Sequence, residues 1–271
     1  VGLFKRRPAY PPGGTMTLVE HLAELRSRLF RSVLAIAVGT VIGWFLFPQV
    51  LDLLTDPYEN GIAPLLREQG LEATLAITGV GGALQFQLKI SLIVGLVISS
   101  PVWFWQIWAF VLPAMHKHEK KWAVLLTGTG VPLFLAGVGV GYLVLPKGIE
   151  VLLGFVPQGW ESLLTAGEYL DFVTRMLLVF GLAAEIPLVV ILLNRIGAVS
   201  HRALVRARPW IVIAIFVFAA VATPTTDPVT MILLAAPMTV LYFIAEVVTL
   251  FTDRRRARDQ DQWSDDEASP L

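Results

Sequence analysis

Apolar residues in this chain are gathered into long, nearly uninterrupted stretches, and most of the charged residues fall in the turns between them. Crossing roughly 30 Å of hydrocarbon takes about 20 helical residues, a length met near 29–47, 90–112, 122–145 and 168–193. Two further stretches, near 210–223 and 229–250, are less generous. The pattern predicts an all-α integral membrane protein with six transmembrane helices, the fifth and sixth short. Pro209 and Pro224 bracket the fifth, and the residues from Trp210 to Thr223 reach only about 21 Å as a helix. A helix that runs on past Thr223 with a proline kink is the alternative. Ahead of the first span, Leu18, Leu22, Leu25 and Leu29 recur at three- and four-residue steps, the stripe of an amphipathic helix. Thr17 and Glu20 have capping-box spacing at its start. That helix is expected to lie along the membrane surface before the first span begins.

Composition agrees with the pattern. Hydrophobic residues make up 55% and charged ones 15%, with mean hydropathy +0.68, where a soluble domain carries about 25% charged residues. The 21 acidic and 21 basic side chains cancel, but the cations are sorted along the chain. Lys5, Arg6, Arg7, Arg26, Arg28 and Arg31 precede span one. Lys117, Lys120 and Lys121 follow span two, Arg195, Arg202, Arg206 and Arg208 follow span four, and Arg254, Arg255, Arg256 and Arg258 follow span six. The alternate connections are poor in cations, so the asymmetry predicts both termini in the cytoplasm. Residues 1–16, rich in Pro and Gly and without an apolar core ahead of a cleavage site, read as a disordered lead rather than a signal peptide. Residues 17–252 form the six-span domain, and the polar, acidic 253–271 reads as a disordered cytoplasmic tail.

Cysteine is absent, which excludes disulfides, thiolate metal sites and thiol nucleophiles. The histidines at 21, 116, 118 and 201 form no helical metal pair. No Walker loop, nucleophile elbow or dinucleotide fingerprint occurs. The sequence therefore predicts no enzyme, no cofactor and no nucleic-acid partner.

Three carboxylates stand out instead. Glu119 sits among Lys117, His118, Lys120 and Lys121, just after the aromatic run of Trp103, Phe104, Trp105 and Trp108; a solvated surface charge is the ordinary account of it. Glu24 and Arg28 are four apart, and an exposed helix pair of about 0.3–0.5 kcal/mol would explain both. Glu185 lies inside span four, where a central charge costs roughly 2.5–3.5 kcal/mol on insertion scales and so calls for a partner or a task. Asp171 and Arg175 are spaced for a local ion pair. Gly128, Gly130, Gly137, Gly139 and Gly141 are expected to serve close helix packing.

The surface helix HLAELRSRL, the run SSPVWFWQIWAFVLPAMHKHEKK, the span FGLAAEIPLVV, the ARPW before span five and the turn ATPTTDP occur in that order. Together they resemble the TatC family, the multispanning core of the twin-arginine protein translocase, over about Thr17 to Phe251. One stretch departs: similar proteins often have an acidic residue and Pro or Phe shortly before the lysine that opens span two, where this chain reads TGVGGALQFQLK with Gly81 and Gly82. The resemblance implies a cup-shaped receptor that binds twin-arginine signal peptides. It implies export of folded proteins across the cytoplasmic membrane on the protonmotive force, with single-span TatA- and TatB-like partners and several copies in the complex. By the same resemblance Glu24 and Glu119 meet the signal's arginines, Phe110 contacts the signal peptide, and Leu25, Arg26 and Leu29 shape the surface helix. Glu185 meets a polar residue of a partner helix, and Pro57, Pro101 and Asp227 fall on family positions. A proton-coupled secondary transporter built around Glu185 is the rival, although no repeat of fixed period supports a duplicated transporter fold. An intramembrane enzyme would need paired catalytic groups within the spans, and none is visible.

Overall fold

The computed structural model describes residues 18–64, 75–77, 79, 81–111, 119–153, 165–222 and 228–261. These are helical apart from short connections and one isolated bridge between Ala76 and Thr165. Among them, five helices are long and apolar enough to cross a membrane, and a bent pair supplies a sixth span.

The first helix, α1, runs Leu18–Phe45 without a break. The expected surface helix and the first span are thus one element, because no proline interrupts 18–45 and a helix once nucleated extends at little cost. The Thr17–Glu20 cap lies outside the described side chains. After α1 the chain turns into α2 (Phe47–Asp56) and a π-helical turn, Pro57–Ile62. In an α-helix the Leu53 carbonyl would accept from residue 57, but proline has no N–H to give. The Tyr142 hydroxyl donates to that carbonyl instead, at 2.9 Å, and the buried Tyr169 donates to the neighbouring Leu54 carbonyl at 2.7 Å. Pro57 therefore leaves an open acceptor that tethers this segment to the bundle.

Span two is broken. Helix α3 (Gly82–Ile98) and helix α4 (Ser100–Val111) meet at Ser99 with a bend of 56°. Pro101 supplies the cause, since its ring and missing N–H cannot continue the preceding turn. The Trp103 indole donates to the Leu96 carbonyl at 2.9 Å, and the amides of Val102 and Trp103 turn to the Ser99 carbonyl. Against α3, helix α1 lies in backbone contact: a Cβ on Gly39 would come within 2.6 Å of the Gly95 oxygen, and one on Gly43 within 2.6 Å of the Ser91 oxygen.

Helix α5 (Glu119–Leu153) carries Pro132 and Pro146 internally and packs on α6 (Ala166–Ala183). Of the glycines read as packing positions, Gly137 and Gly141 meet Phe180, and Gly130 meets Glu185. Gly128 and Gly139 have nothing within 4 Å, so they face outward and the packing expectation fails for them. Helix α6 opens with a complete capping box between Thr165 and Glu168. Asp171 pairs with Lys89 on α3, not with Arg175. The local pair is displaced because α3 brings a cation to Asp171 across the interface, while Arg175 is exposed.

Helix α7 (Ile186–Arg195) continues the line of α6 after an interruption at Ala184 and Glu185, where Pro187 removes an amide from the first turn. The two together form one 30-residue span. Helix α8 (His201–Ala222) begins well before Pro209, which lies inside it. Its start is fixed from another element: the Asp253 carboxylate accepts from the His201 amide at 2.8 Å and from Asn194 Nδ2 at 2.9 Å, acting as a cap in trans. The apolar part beyond Pro209 stays short, but the helix that contains it is longer than the proline bracket suggested. Helix α9 spans Pro228–Asp261. It runs past residue 253, where the tail was expected to begin, and Arg254 to Arg258, all Arg or Ala, are good helix formers that extend an existing helix without a new nucleus.

Candidate functional site

The last turn of α4 meets the beginning of α1. Phe110 stacks on His21 with ring centroids 4.5 Å apart and planes inclined by 20°. Glu24 and Arg28 follow His21 by three and seven residues, so all three share one face of α1, the face that packs on α4. Arg28 reaches back one turn, its Nε donating to Glu24 Oε1 at 2.9 Å and its Nη2 donating to the same oxygen. The second oxygen, Oε2, is buried and has no hydrogen-bond partner among the described residues.

This is not the exposed helix pair that spacing alone suggested. The Arg28 and Glu24 side chains retain 10% and 18% of their exposure, so their charges are largely desolvated and each depends on the other. Leu25 and Leu29 point to the adjoining face and are exposed, as is Arg26 further round. The structure brings Glu24 and Phe110 into one neighbourhood and sets Leu25, Arg26 and Leu29 beside it, not within it. Glu119 is the first residue of α5; its side chain, and the turn 112–118 before it, lie outside the described residues.

Glu185 occupies a second position, deeper in the bundle. The interruption between α6 and α7 turns its carboxylate toward α5, where a Cβ on Gly130 would lie 3.1 Å from Oε2, 3.3 Å from Leu188 and 3.4 Å from Phe104. Both carboxylate oxygens are buried without a donor among the described residues. Buried acceptors without a donor are exceptional and call for an account, and the wall around these two is otherwise apolar.

Residues missed from sequence fall into two groups. Glu246 lies in span six and takes a forked contact from Arg208, whose Nε donates to Oε2 at 3.1 Å and whose Nη2 donates to Oε1. The guanidinium also sits 5.6 Å from the Phe243 ring centroid. The signal was the one that singled out Glu185, an acid within an apolar stretch. The second group is a set of buried polar atoms without partners, Gln106 Oε1, Trp108 Nε1 and Thr127 Oγ1, on the two helices that flank the turn 112–118. Gln106 was legible as the lone amide in the apolar run that contains it.

Fold and site together define a polytopic α-helical membrane protein whose distinctive groups are buried carboxylates with unfilled acceptor positions. A family model described as Sec-independent protein translocase protein (TatC) matches residues 20–237. The TatC protein of Xylanimonas cellulosilytica is 42% identical over 243 residues, which cover 90% of this chain and 87% of that one. The TatC of Frankia casuarinae is 40% identical over 275 aligned positions, covering 98% and 76%. A crystal structure described as twin arginine translocase receptor TatC superposes with a TM-score of 0.74 at 31% identity, over 84% of this chain and 99% of that one. The chain belongs to the TatC family, and is a component of a Sec-independent protein translocase rather than an enzyme.

Proposed function

We propose that this chain is the signal-peptide receptor of its translocase, taking the paired arginines of a twin-arginine signal at Glu24 and Glu119 and passing folded cargo across the cytoplasmic membrane at the expense of the protonmotive force. The observation that carries the reading is the half-used Glu24 carboxylate. One oxygen holds Arg28 and the other is buried and open, so the site already accommodates a guanidinium and has acceptor capacity for another. A planar guanidinium fork suits carboxylates in a way an ammonium does not. Phe110 would offer the signal a ring beside the charge, and the exposed Leu25 and Leu29, with Arg26, a surface along α1. Glu185, with two acceptors and no donor, would receive a polar side chain of a TatA- or TatB-like single-span partner in the lipid bilayer. Several copies of the chain would share one complex.

Charge-assisted hydrogen bonds contribute about 1.5–3 kcal/mol each, so Glu24→Ala and Glu119→Ala should each weaken binding of a twin-arginine peptide to isolated membranes by ten- to a hundredfold. Intact binding in both variants would sink the reading. Orientation follows from the cation asymmetry, with both termini in the cytoplasm. A single cysteine at Ser200, in a chain with no native thiol, should be labelled from the cytoplasmic side only. Labelling from outside would invert the topology.

A further inference from the structure

We infer that Gln106 completes the arginine subsite that Glu24 begins. Its side-chain carbonyl and the second oxygen of Glu24 form the two arms of one guanidinium site, and Arg28 positions Glu24 from the other side. This rests on the reading above that Glu24 receives an arginine. Two contacts fix the register of α1 against span two. At one end His21 stacks on Phe110, and at the other Gly39 touches Gly95, so the chains run antiparallel. One turn inward from the stacked rings, Glu24 follows His21 on α1 and Gln106 precedes Phe110 on α4. Gln106 and Phe110, four apart, share one face of α4, the face turned to α1.

Glu24 Oε2 and Gln106 Oε1 are both buried, and neither has a donor among the described residues. Buried polar groups are nearly always paired, and an exception needs an account. Here two acceptors lie about one turn in from the same stacked pair, on helices that face each other, and the complement they call for is a group that donates in two directions. A guanidinium has five N–H donors in a fixed fork. Arg28 does not fill the gap, because both of its contacts go to Oε1. It supplies instead the counter-charge that lets Glu24 remain buried while the site is empty. A lysine ammonium would satisfy Glu24 as a point charge, but it lacks the planar fork that spans carboxylate and amide together. Gln106 is thereby the residue that favours arginine over lysine.

The test uses the full chain in lipid nanodiscs and a fluorescent peptide with two consecutive arginines ahead of an apolar segment, beside its paired-lysine counterpart. Gln106→Leu should weaken the arginine peptide about tenfold, the low end for a hydrogen bond to a charged group. It should leave the lysine peptide nearly unchanged, so that the ratio of the two affinities collapses. Equal weakening of both peptides means that Gln106 only packs, and unchanged arginine binding means that it takes no part; either result overturns the inference. If Gln106→Leu is not recovered folded, Gln106→Asn withdraws the carbonyl by one methylene, and the same collapse of the ratio is required of it. Glu24→Gln, measured alongside, separates the two claims. Loss there with Gln106→Leu unaffected removes this inference alone, while normal binding in Glu24→Gln removes the receptor site on which it rests.

Discussion

A methyl group added at Gly95 tests whether the α1–α3 seam sets the position of the binding face. The new Cβ would stand 2.5 Å from the Thr40 amide nitrogen, 2.6 Å from Thr40 Oγ1 and 2.8 Å from Thr40 Cα. Ordinary contacts between carbons lie at about 3.5–4.0 Å, so the helices must part by about 1 Å at this level. Two of the three clashing atoms belong to backbone and cannot rotate aside. The third is tied by its hydrogen bond to the Ile36 carbonyl at 2.8 Å. Overpacking of this kind costs about 1–3 kcal/mol, and the gain of about 0.5–1 kcal/mol from replacing a helical glycine by alanine offsets only part of it. Gly128→Ala makes the same chemical change inside a helix where nothing lies within 4 Å and should keep the gain of about 0.5–1 kcal/mol undiminished. The assay is thermal unfolding of the two purified variants in one detergent, with twin-arginine peptide binding measured below the transition. Gly95→Ala should melt earlier and bind more weakly, because α1 carries Glu24, while Gly128→Ala should melt slightly later than the parent and bind as the parent does. Coincident melting curves for the two variants would refute the close-approach argument.

The outer tether gives a second expectation. Tyr169→Phe leaves the buried Leu54 carbonyl without its donor and should destabilise by about 1–3 kcal/mol, whereas Tyr142→Phe, whose bond to Leu53 is exposed, should cost less; the reverse order in thermal unfolding would contradict the assignment. At Glu185, Gln keeps size and hydrogen-bonding capacity while Ala removes both, so partner crosslinking and export should survive in Glu185→Gln and fail in Glu185→Ala. Equal, severe loss of export in both, with crosslinks unchanged, would remove the docking role.

Six spans were legible in the sequence because a run of about 20 apolar residues can do little else in a chain of this composition. The breaks were less so. Pro101 and Pro187 both interrupt spans, yet Pro132, Pro146, Pro209 and Pro237 lie inside continuous helices. Proline constrains only the preceding turn, and neighbouring groups decide whether the helix tolerates it. Partnerships across helices were the other blind spot. Asp171 had a cation four residues away on its own helix and paired with one on another. Asp253 looked like part of a solvated tail and instead caps α8 from α9. Spacing reports neighbours along one helix, whereas these choices depend on which helices become adjacent. Glu24 was identified by resemblance, and what sequence could not convey was its burial, which turns a routine surface pair into a carboxylate with one oxygen engaged and one open.

The angle at Ser99 has a mechanical consequence. Helix α4 has 12 residues and is about 18 Å long, so a tilt of 56° carries its far end sideways by about 15 Å, more than the 10–12 Å diameter of a helix. The span thus acts as a lever with its fulcrum at Ser99 and Phe110 near its tip. A rotation of ten degrees at the fulcrum would shift that tip by about 3 Å, a whole hydrogen-bond length. Across the joint itself the Trp103 indole is braced against the Leu96 carbonyl, while the His21–Phe110 stack holds the tip. Trp103 precedes Gln106 by about one turn on α4, so the same strut bears on where Gln106 stands relative to α1.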